Sequence, residues 1–287
     1  MRFESDCVSG TARSAQAVSP EGRGQTARVA VGLAAAIAVG VSVMGFSPSH
    51  AGEAPLVALS DIDPSIRQDM RYAGANNFTG ARVPGYEAAA CWLRPAVAQA
   101  LKRVQATLAA EHPGLSLKVF DCYRPRRSVS AFMAWAGARG NAEPDYHPNV
   151  ARNALVPRGY IGRASTHSKG IAVDLTVVRT GSDVAAAQHA EQKGNGASAG
   201  APCTETSDKA TDPASLDMGT SFDCFDPKSH THAQGVTAEQ RKARLLLARV
   251  MERHGFANYP KEWWHFTFAA ADDGQSFDVP VRAPGKR

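Results

Sequence analysis

Apolar residues recur along this chain in short blocks whose period changes from one block to the next. From Pro95 to Ala110 they fall at helical spacing, and Pro95 suits a first helical turn, where no amide donor is needed. Leu115 to Phe120 predicts a strand, and Arg127 to Ala138 a second helix. Ile171 to Val178 is apolar and β-branched, interrupted only by Asp174 and Thr176, which predicts a buried strand. Thr237 and Gln240 have capping-box spacing, opening a helix that runs to His254 and stops at Gly255. Phe266-Thr267-Phe268 predicts a last strand. Leu56 to Gln68 starts the domain, Met70 to Gly80 reads as loop, and Gly140 to Ser165 is loop-rich, with Pro144, Pro148 and Pro157. Gly181 to Pro213 is rich in Ala, Gly, Ser and Thr and predicts a flexible surface insertion, partly tied down by Cys203. No internal repeat is visible, and helices mix with strands without βαβ regularity, so the expected class is α+β.

A chain of 287 residues with 44% hydrophobic content can bury one core and leaves little room for two full domains. Its first 51 residues are expected to lie outside that fold. Arg28 precedes an almost wholly apolar run from Val29 to Phe46, and Ser47-Pro48-Ser49-His50-Ala51 follows with small residues where a signal peptidase reads. The pattern predicts a secretory signal peptide over 1–51, cleaved after Ala51, with the folded domain at 52–287. The rival is an uncleaved anchor, since about eighteen apolar residues can just span a bilayer. The polar stretch before Arg28 is long for such a leader, consistent with a start downstream of Met1. A mature chain carries a net charge of +4, because 1–51 holds four basic and three acidic residues of a total net of +5. With no basic run interleaved with aromatics, nucleic-acid binding is not expected. Nor is stable membrane association after cleavage; the location expected is periplasmic or secreted. Of five cysteines, Cys91, Cys122, Cys203 and Cys224 would remain, an even number that favours disulfides in an exported chain. Of the three pairings possible, Cys91–Cys122 and Cys203–Cys224 each close a local loop and are preferred.

Two distant segments carry the candidate chemistry: Ser165-Thr166-His167-Ser168-Lys169-Gly170-Ile171-Ala172-Val173-Asp174 and Glu262-Trp263-Trp264-His265. A catalytic zinc ion takes three nitrogen or oxygen ligands and keeps a fourth position for water. His167, Asp174 and His265 fit the ligand roles, one zinc per chain. A carboxylate inside an apolar strand is costly unless paired or bound to a cation, which gives Asp174 a reason to be there. Gly170 would let the backbone turn so that His167 folds back toward Asp174. Glu262 is left as a carboxylate beside the ion, the group that hydrolysis needs as a general base. Lone E-x-x-H motifs are common, and a di-iron bundle needs two where this chain has one. In Phe120-Asp121-Cys122-Tyr123-Arg124-Pro125-Arg126-Arg127 a strand enters a loop, and Arg124, constrained by Pro125, can stabilise an oxyanion or hold a carboxylate.

The motifs S-x-H-x-x-G-x-A-x-D, E-W-W-H and D-x-Y-R-P together resemble the vancomycin-resistance-type D-alanyl-D-alanine dipeptidases. These are zinc enzymes that share a Hedgehog/D-Ala-D-Ala peptidase-like fold. Tyr72 to Gly80, Pro157-Arg158-Gly159-Tyr160 and Met218-Gly219-Thr220-Ser221-Phe222-Asp223 followed by Ser229-His230 extend the resemblance over roughly residues 55 to 280. It implies a small antiparallel central sheet flanked by helices, with the zinc in a cleft. It also implies roles: His167, Asp174 and His265 as zinc ligands, Glu262 as base and acid, and Arg124 against the tetrahedral intermediate. Ser165 would lie near the substrate carboxylate, and Asp223 and Tyr72 would hold its ammonium group. The stretch between Asp174 and Met218 is longer than in compact relatives. The implied reaction is hydrolysis of the D-Ala-D-Ala dipeptide in the cell envelope, for scavenging or wall turnover. Two rivals are a carboxypeptidase trimming peptidoglycan stem peptides and a non-catalytic zinc module binding wall fragments. Asp223 and Tyr72 weigh against the first, and Glu262 and Arg124 against the second.

Overall fold

The computed structural model describes residues 55–181, 201–208 and 211–285; the expected leader at 1–51 and residues 182–200 of the expected insertion lie outside the described residues. The order is β1 (Val57–Ala58), a one-turn α1 (Leu59–Ile62), β2 (Arg67–Gln68), β3 (Trp92–Leu93), α2 (Pro95–Glu111), β4 (Leu115–Asp121) and α3 (Arg126–Gly137). There follow β5 (Ala172–Arg179), α4 (Ala238–Glu252), β6 (Ala257–Asn258) and β7 (His265–Thr267). The mixture is α+β, as the changing apolar period predicts.

Helix α2 buries Val97, Leu101, Val104 and Leu108 along one side and packs on β4 and α4. The capping box of α4 is formed in full: the Gln240 amide donates to Thr237 Oγ1 at 3.2 Å, and the Thr237 amide donates to Gln240 Oε1 at 2.9 Å. Gly255, at φ +88°, takes the left-handed turn that ends this helical segment.

The main sheet has the order β2-β4-β5-β7-β6. Pairs β4–β5, β5–β7 and β7–β6 are antiparallel, but β2 runs parallel to β4. The expected all-antiparallel sheet is therefore corrected at one edge. A parallel neighbour needs a long crossover, and β3 with α2 supplies one. The register sets the two faces. Leu117, Val119, Val173, Leu175 and Val177 are fully buried in the hydrophobic core. Register pairs Lys118 with Thr176 and Asp121 with Asp174, which puts these polar residues on the opposite face.

The opposite face receives part of the Gly181–Pro213 stretch. Of its described residues, 181, 201–208 and 211–213, Gly181, Glu205 and Pro213 are exposed and Cys203, Asp208 and Asp212 are buried. Asp208 is 4% exposed and Asp212 1%. Asp212 Oδ2 lies 2.6 Å from the buried Lys118 ammonium, and Asp208 Oδ1 lies 3.0 Å from Arg71 Nη2. With Asp69, which lies 2.8 Å from Arg71 and 3.8 Å from Lys118, the two carboxylates neutralise these buried cations. Downstream, the Leu216 amide donates to the Val177 carbonyl at 2.9 Å, holding the segment along β5. Disulfides join Cys91 to Cys122 and Cys203 to Cys224. Among the described residues no helix is long and apolar enough to cross a membrane.

Candidate active site

Three neighbouring strands bring Asp121, Asp174 and His265 into one row: Asp174 of β5 pairs in register with Asp121 of β4 and with His265 of β7. A register shift between Val119 and Asp121 re-aims the end of β4. Just before β5, Ser165 Oγ accepts the His167 amide at 3.2 Å and caps a one-turn 3₁₀ helix, Thr166–Lys169. Gly170 ends that turn at φ +70°, a left-handed conformation that favours glycine. The turn folds His167 back over Asp174.

Each ring nitrogen of His167 has its own partner. The Cys122 carbonyl can only accept, so His167 Nδ1–H donates to it at 2.6 Å, leaving Nε2 with a free lone pair. Nε2 then lies 3.1 Å from His265 Nδ1 and 3.3 Å from Asp174 Oδ1, and His265 Nδ1 lies 3.0 Å from the same oxygen. The far nitrogen of His265 meets Thr267 Oγ1 at 3.3 Å. Three ligands bound to one tetrahedral zinc at about 2.0–2.1 Å lie about 3.3–3.4 Å apart, close to the spacings seen here. Donor chemistry and convergence therefore fit a zinc ion, and the second partners orient both rings as metal-binding histidines require.

Glu262 and His265 converge through a turn. The Glu262 amide donates to the Tyr259 carbonyl at 2.9 Å and the His265 amide to the Glu262 carbonyl at 3.3 Å. Trp263 and Trp264, 0% and 1% exposed, anchor the turn from below, and Trp263 Nε1 donates to Thr220 Oγ1 at 2.9 Å. Glu262 Oε2 stands 4.0 Å from His265 Nδ1, beside the triad. Burial pushes its carboxyl well above the usual range, and the negative Asp174 and Asp223 push the same way. For Asp174, burial acts upward, but His167 and His265 outweigh it and hold the group ionised.

Arg124 Nε donates to Asp121 Oδ2 at 2.9 Å, and Nη2 reaches Asp174 Oδ2 at 3.4 Å. Its guanidinium carbon lies 5.1 Å from the ring centres of both Tyr72 and Phe132. Tyr72 Oη donates to Asp223 at 2.9 Å from Oδ2, with Oδ1 at 3.2 Å, and both residues are buried. Asp223 adopts φ +60°, the one non-glycine residue with positive φ among the described residues. Burial, then the charge of Asp174, raises its carboxyl well above the usual range. Tyr72, Arg124, Ser165, His167, Asp174, Asp223, Glu262 and His265 all line one cavity of about 460 Å³.

Reading by spacing missed Asp121 and Tyr86. Asp121 is fully buried, accepts from Arg124, accepts from Tyr86 Oη at 2.6 Å, and lies 3.4 Å from His167 Nδ1. It thus positions one guanidinium and places a carboxylate beside one candidate metal-binding imidazole. The available signal was a carboxylate at the end of an apolar strand, three residues before Arg124.

The fold and this constellation define a metallopeptidase-type site: an imidazole–carboxylate triad, an adjacent carboxyl group and a fixed guanidinium around a small cavity. A family model described as D-ala-D-ala dipeptidase, of the M15 peptidases, matches residues 52–191 and 184–281, and the chain belongs to that family. The chain is 32% identical over 227 residues to a D-alanyl-D-alanine dipeptidase of Enterococcus faecium, covering 78% of this chain and 96% of the relative. It is 31% identical over 226 residues to one of Streptomyces coelicolor, covering 78% and 96%. Against one of Escherichia coli the identity is 29% over 216 residues, covering 75% and 86%.

Proposed function

We propose that this enzyme hydrolyses the D-alanyl-D-alanine dipeptide with zinc held by His167, Asp174 and His265. It would act in the periplasm or outside the cell, in dipeptide scavenging or wall turnover. The observation that carries the reading is a charge imbalance. Asp121, Asp174, Asp223 and Glu262 line or back the cavity, and Arg124 is the guanidinium that faces them. Buried carboxylates at this density call for cationic occupants. A divalent ion at the triad and an ammonium group at Asp223 would supply them at opposite ends of the site.

A bound zinc ion supplies Lewis-acid polarisation and acidifies a water toward neutral pH. The side chains do the rest. Asp223, with Tyr72 donating to it, receives the free amino terminus, and Ser165 stands on the wall near the opposite end of the substrate. Arg124, fixed by Asp121, faces negative charge that develops on the scissile carbonyl oxygen. Glu262 takes a proton from the attacking water and returns it to the leaving amine nitrogen. A peptide with a blocked or extended amino terminus would leave Asp223 without its cation, which disfavours longer chains. The two disulfides are the pattern of an oxidising compartment and support export.

The test is direct. Purified zinc-loaded protein is incubated with D-Ala-D-Ala, L-Ala-L-Ala and an amino-blocked tripeptide, and released alanine is measured. Turnover of D-Ala-D-Ala with little or none of the blocked tripeptide is expected. Faster turnover of the blocked peptide would move the assignment to a carboxypeptidase.

A further inference from the structure

The ammonium end of the cavity is built from two side chains 151 positions apart in sequence, Tyr72 and Asp223. Neither is held by the sheet. What ties them together is a third residue, from the polar segment that composition assigns to the surface. Asp208 Oδ1 accepts from Arg71 Nη2 at 3.0 Å, and Asp208 Oδ2 accepts the Phe222 amide at 2.9 Å. Arg71 immediately precedes Tyr72, and Phe222 immediately precedes Asp223. One carboxylate, 4% exposed, therefore bridges the side chain of the residue before Tyr72 and the backbone amide of the residue before Asp223.

The surroundings leave the bridge little slack. Arg71 Nε donates to Asp69 at 2.8 Å, and the guanidinium carbon sits 4.8 Å from the centre of the Phe120 ring. Phe222 stacks on the same ring, with centroids 4.7 Å apart. The Phe225 amide donates to the Tyr146 carbonyl at 2.7 Å, and Cys224 is tied to Cys203, five residues before Asp208. Asp223 itself holds φ +60°, a conformation that persists only where neighbours over-determine it.

We propose that Asp208 is a specificity-determining positioning residue: it locks Arg71 to Phe222 and so fixes Tyr72 and Asp223 as one receptor for a free amino terminus. The inference rests on the reading of that pair as the ammonium site. Both groups facing Asp208 are donors. An isosteric Asp208→Asn must turn its own amide N–H toward one of them, and either that contact or the Phe222 amide goes unpaired. Asp223 is then free to leave its left-handed conformation. Among the described residues no hydrogen bond or ion pair links Asp208 to Glu262, Arg124, His167, Asp174 or His265, so the chemistry there should be retained.

The experiment measures kcat and KM for D-Ala-D-Ala, the inhibition constant of N-acetyl-D-Ala-D-Ala, and zinc content, on full-length protein. In Asp208→Asn, KM should rise by about 10–100-fold, the range set by losing a charge-assisted hydrogen bond. The acetylated peptide has no ammonium, so its inhibition constant and kcat should stay within about threefold, with one zinc per chain. A merely structural role would lower kcat through the folded fraction and leave KM in place, and that result overturns the proposal. Arg71→Lys probes the same bridge from its other side should Asp208→Asn fail to fold; an unchanged KM there also overturns it. Asp223→Ala separates the two levels. If it leaves KM unchanged, the ammonium reading fails and this inference with it. If it raises KM while Asp208→Asn does not, only the role of Asp208 is refuted.

Discussion

Removing the Cys91–Cys122 disulfide should cost much stability and little catalysis. The bridge spans 31 positions, a loop that contains β3, α2 and β4. In the chain-entropy treatment, a loop of that length restricts the unfolded ensemble by about 3.7 kcal/mol at 25 °C. For a domain of this size each kcal/mol moves the midpoint by about 2–4 °C, so Cys91→Ala/Cys122→Ala should melt about 7–15 °C lower. The local effect is smaller, because the backbone at both cysteines has other anchors. The Leu59 amide donates to the Cys91 carbonyl at 2.9 Å, and the Tyr123 amide to the Trp92 carbonyl at 2.9 Å. The Cys122 carbonyl should therefore still receive His167 Nδ1–H. Calorimetric melting checks the first half, and zinc content with kcat well below the midpoint checks the second. A midpoint within about 2 °C of the parent would refute the entropy argument. Loss of zinc in folded protein would show that the bridge, and not the backbone anchors, holds His167.

Glu262→Ala should keep about one zinc per chain and lose at least 10²–10⁴-fold in kcat, roughly, the range for a general acid–base group; His265→Ala should lose metal and activity together, as metal analysis beside turnover would show. Lys118→Met should destabilise by up to about 3–5 kcal/mol at neutral pH, because it removes the nearer of the two cations that pair with the buried Asp212 carboxylate and leaves Arg67 at 3.3 Å. Burial acts to raise the Asp212 carboxyl, but Lys118 and Arg67 hold it below its usual range. A depressed carboxyl stabilises the fold above its unfolded value of about 3.9, and that share is lost as pH falls through the folded value. The gap in melting temperature between parent and Lys118→Met should thus narrow below about pH 4; an equal gap at pH 7 and in acid would contradict the pairing.

The long elements were legible because their periods are long enough to register. Helix α2 begins at Pro95 as expected and runs one residue past Ala110, and β5 starts one residue after Ile171. Strands β1, β2, β3 and β6 are two residues each and carry no period, so sequence could not show the parallel edge at β2. The candidate metal triad could be seen because two of its members share a ten-residue motif and the third closes E-W-W-H. Tyr72 and Asp223 could be picked out only through the family resemblance, since no local pattern links residues so far apart.

The two buried aspartates of the 181–213 stretch, Asp208 and Asp212, were illegible for a different reason. Composition describes what a segment can do alone, and a stretch rich in Ala, Gly, Ser and Thr alone is solvated. The placement of its two buried aspartates is set by cations elsewhere. Lys118 stands inside Leu115-Ser116-Leu117-Lys118-Val119-Phe120, a run too apolar to leave an ammonium in water, and the structure buries it completely. A buried lysine requires a carboxylate partner. The same demand falls on Arg71, which is 9% exposed beside the candidate ammonium site. Asp212 answers the first and Asp208 the second. The useful signal was thus a charge mismatch in the core strands, which called for acidic residues from a segment that shows no periodicity of its own. The same pairing that packs this segment places one of its carboxylates against both halves of the proposed amino-terminus receptor.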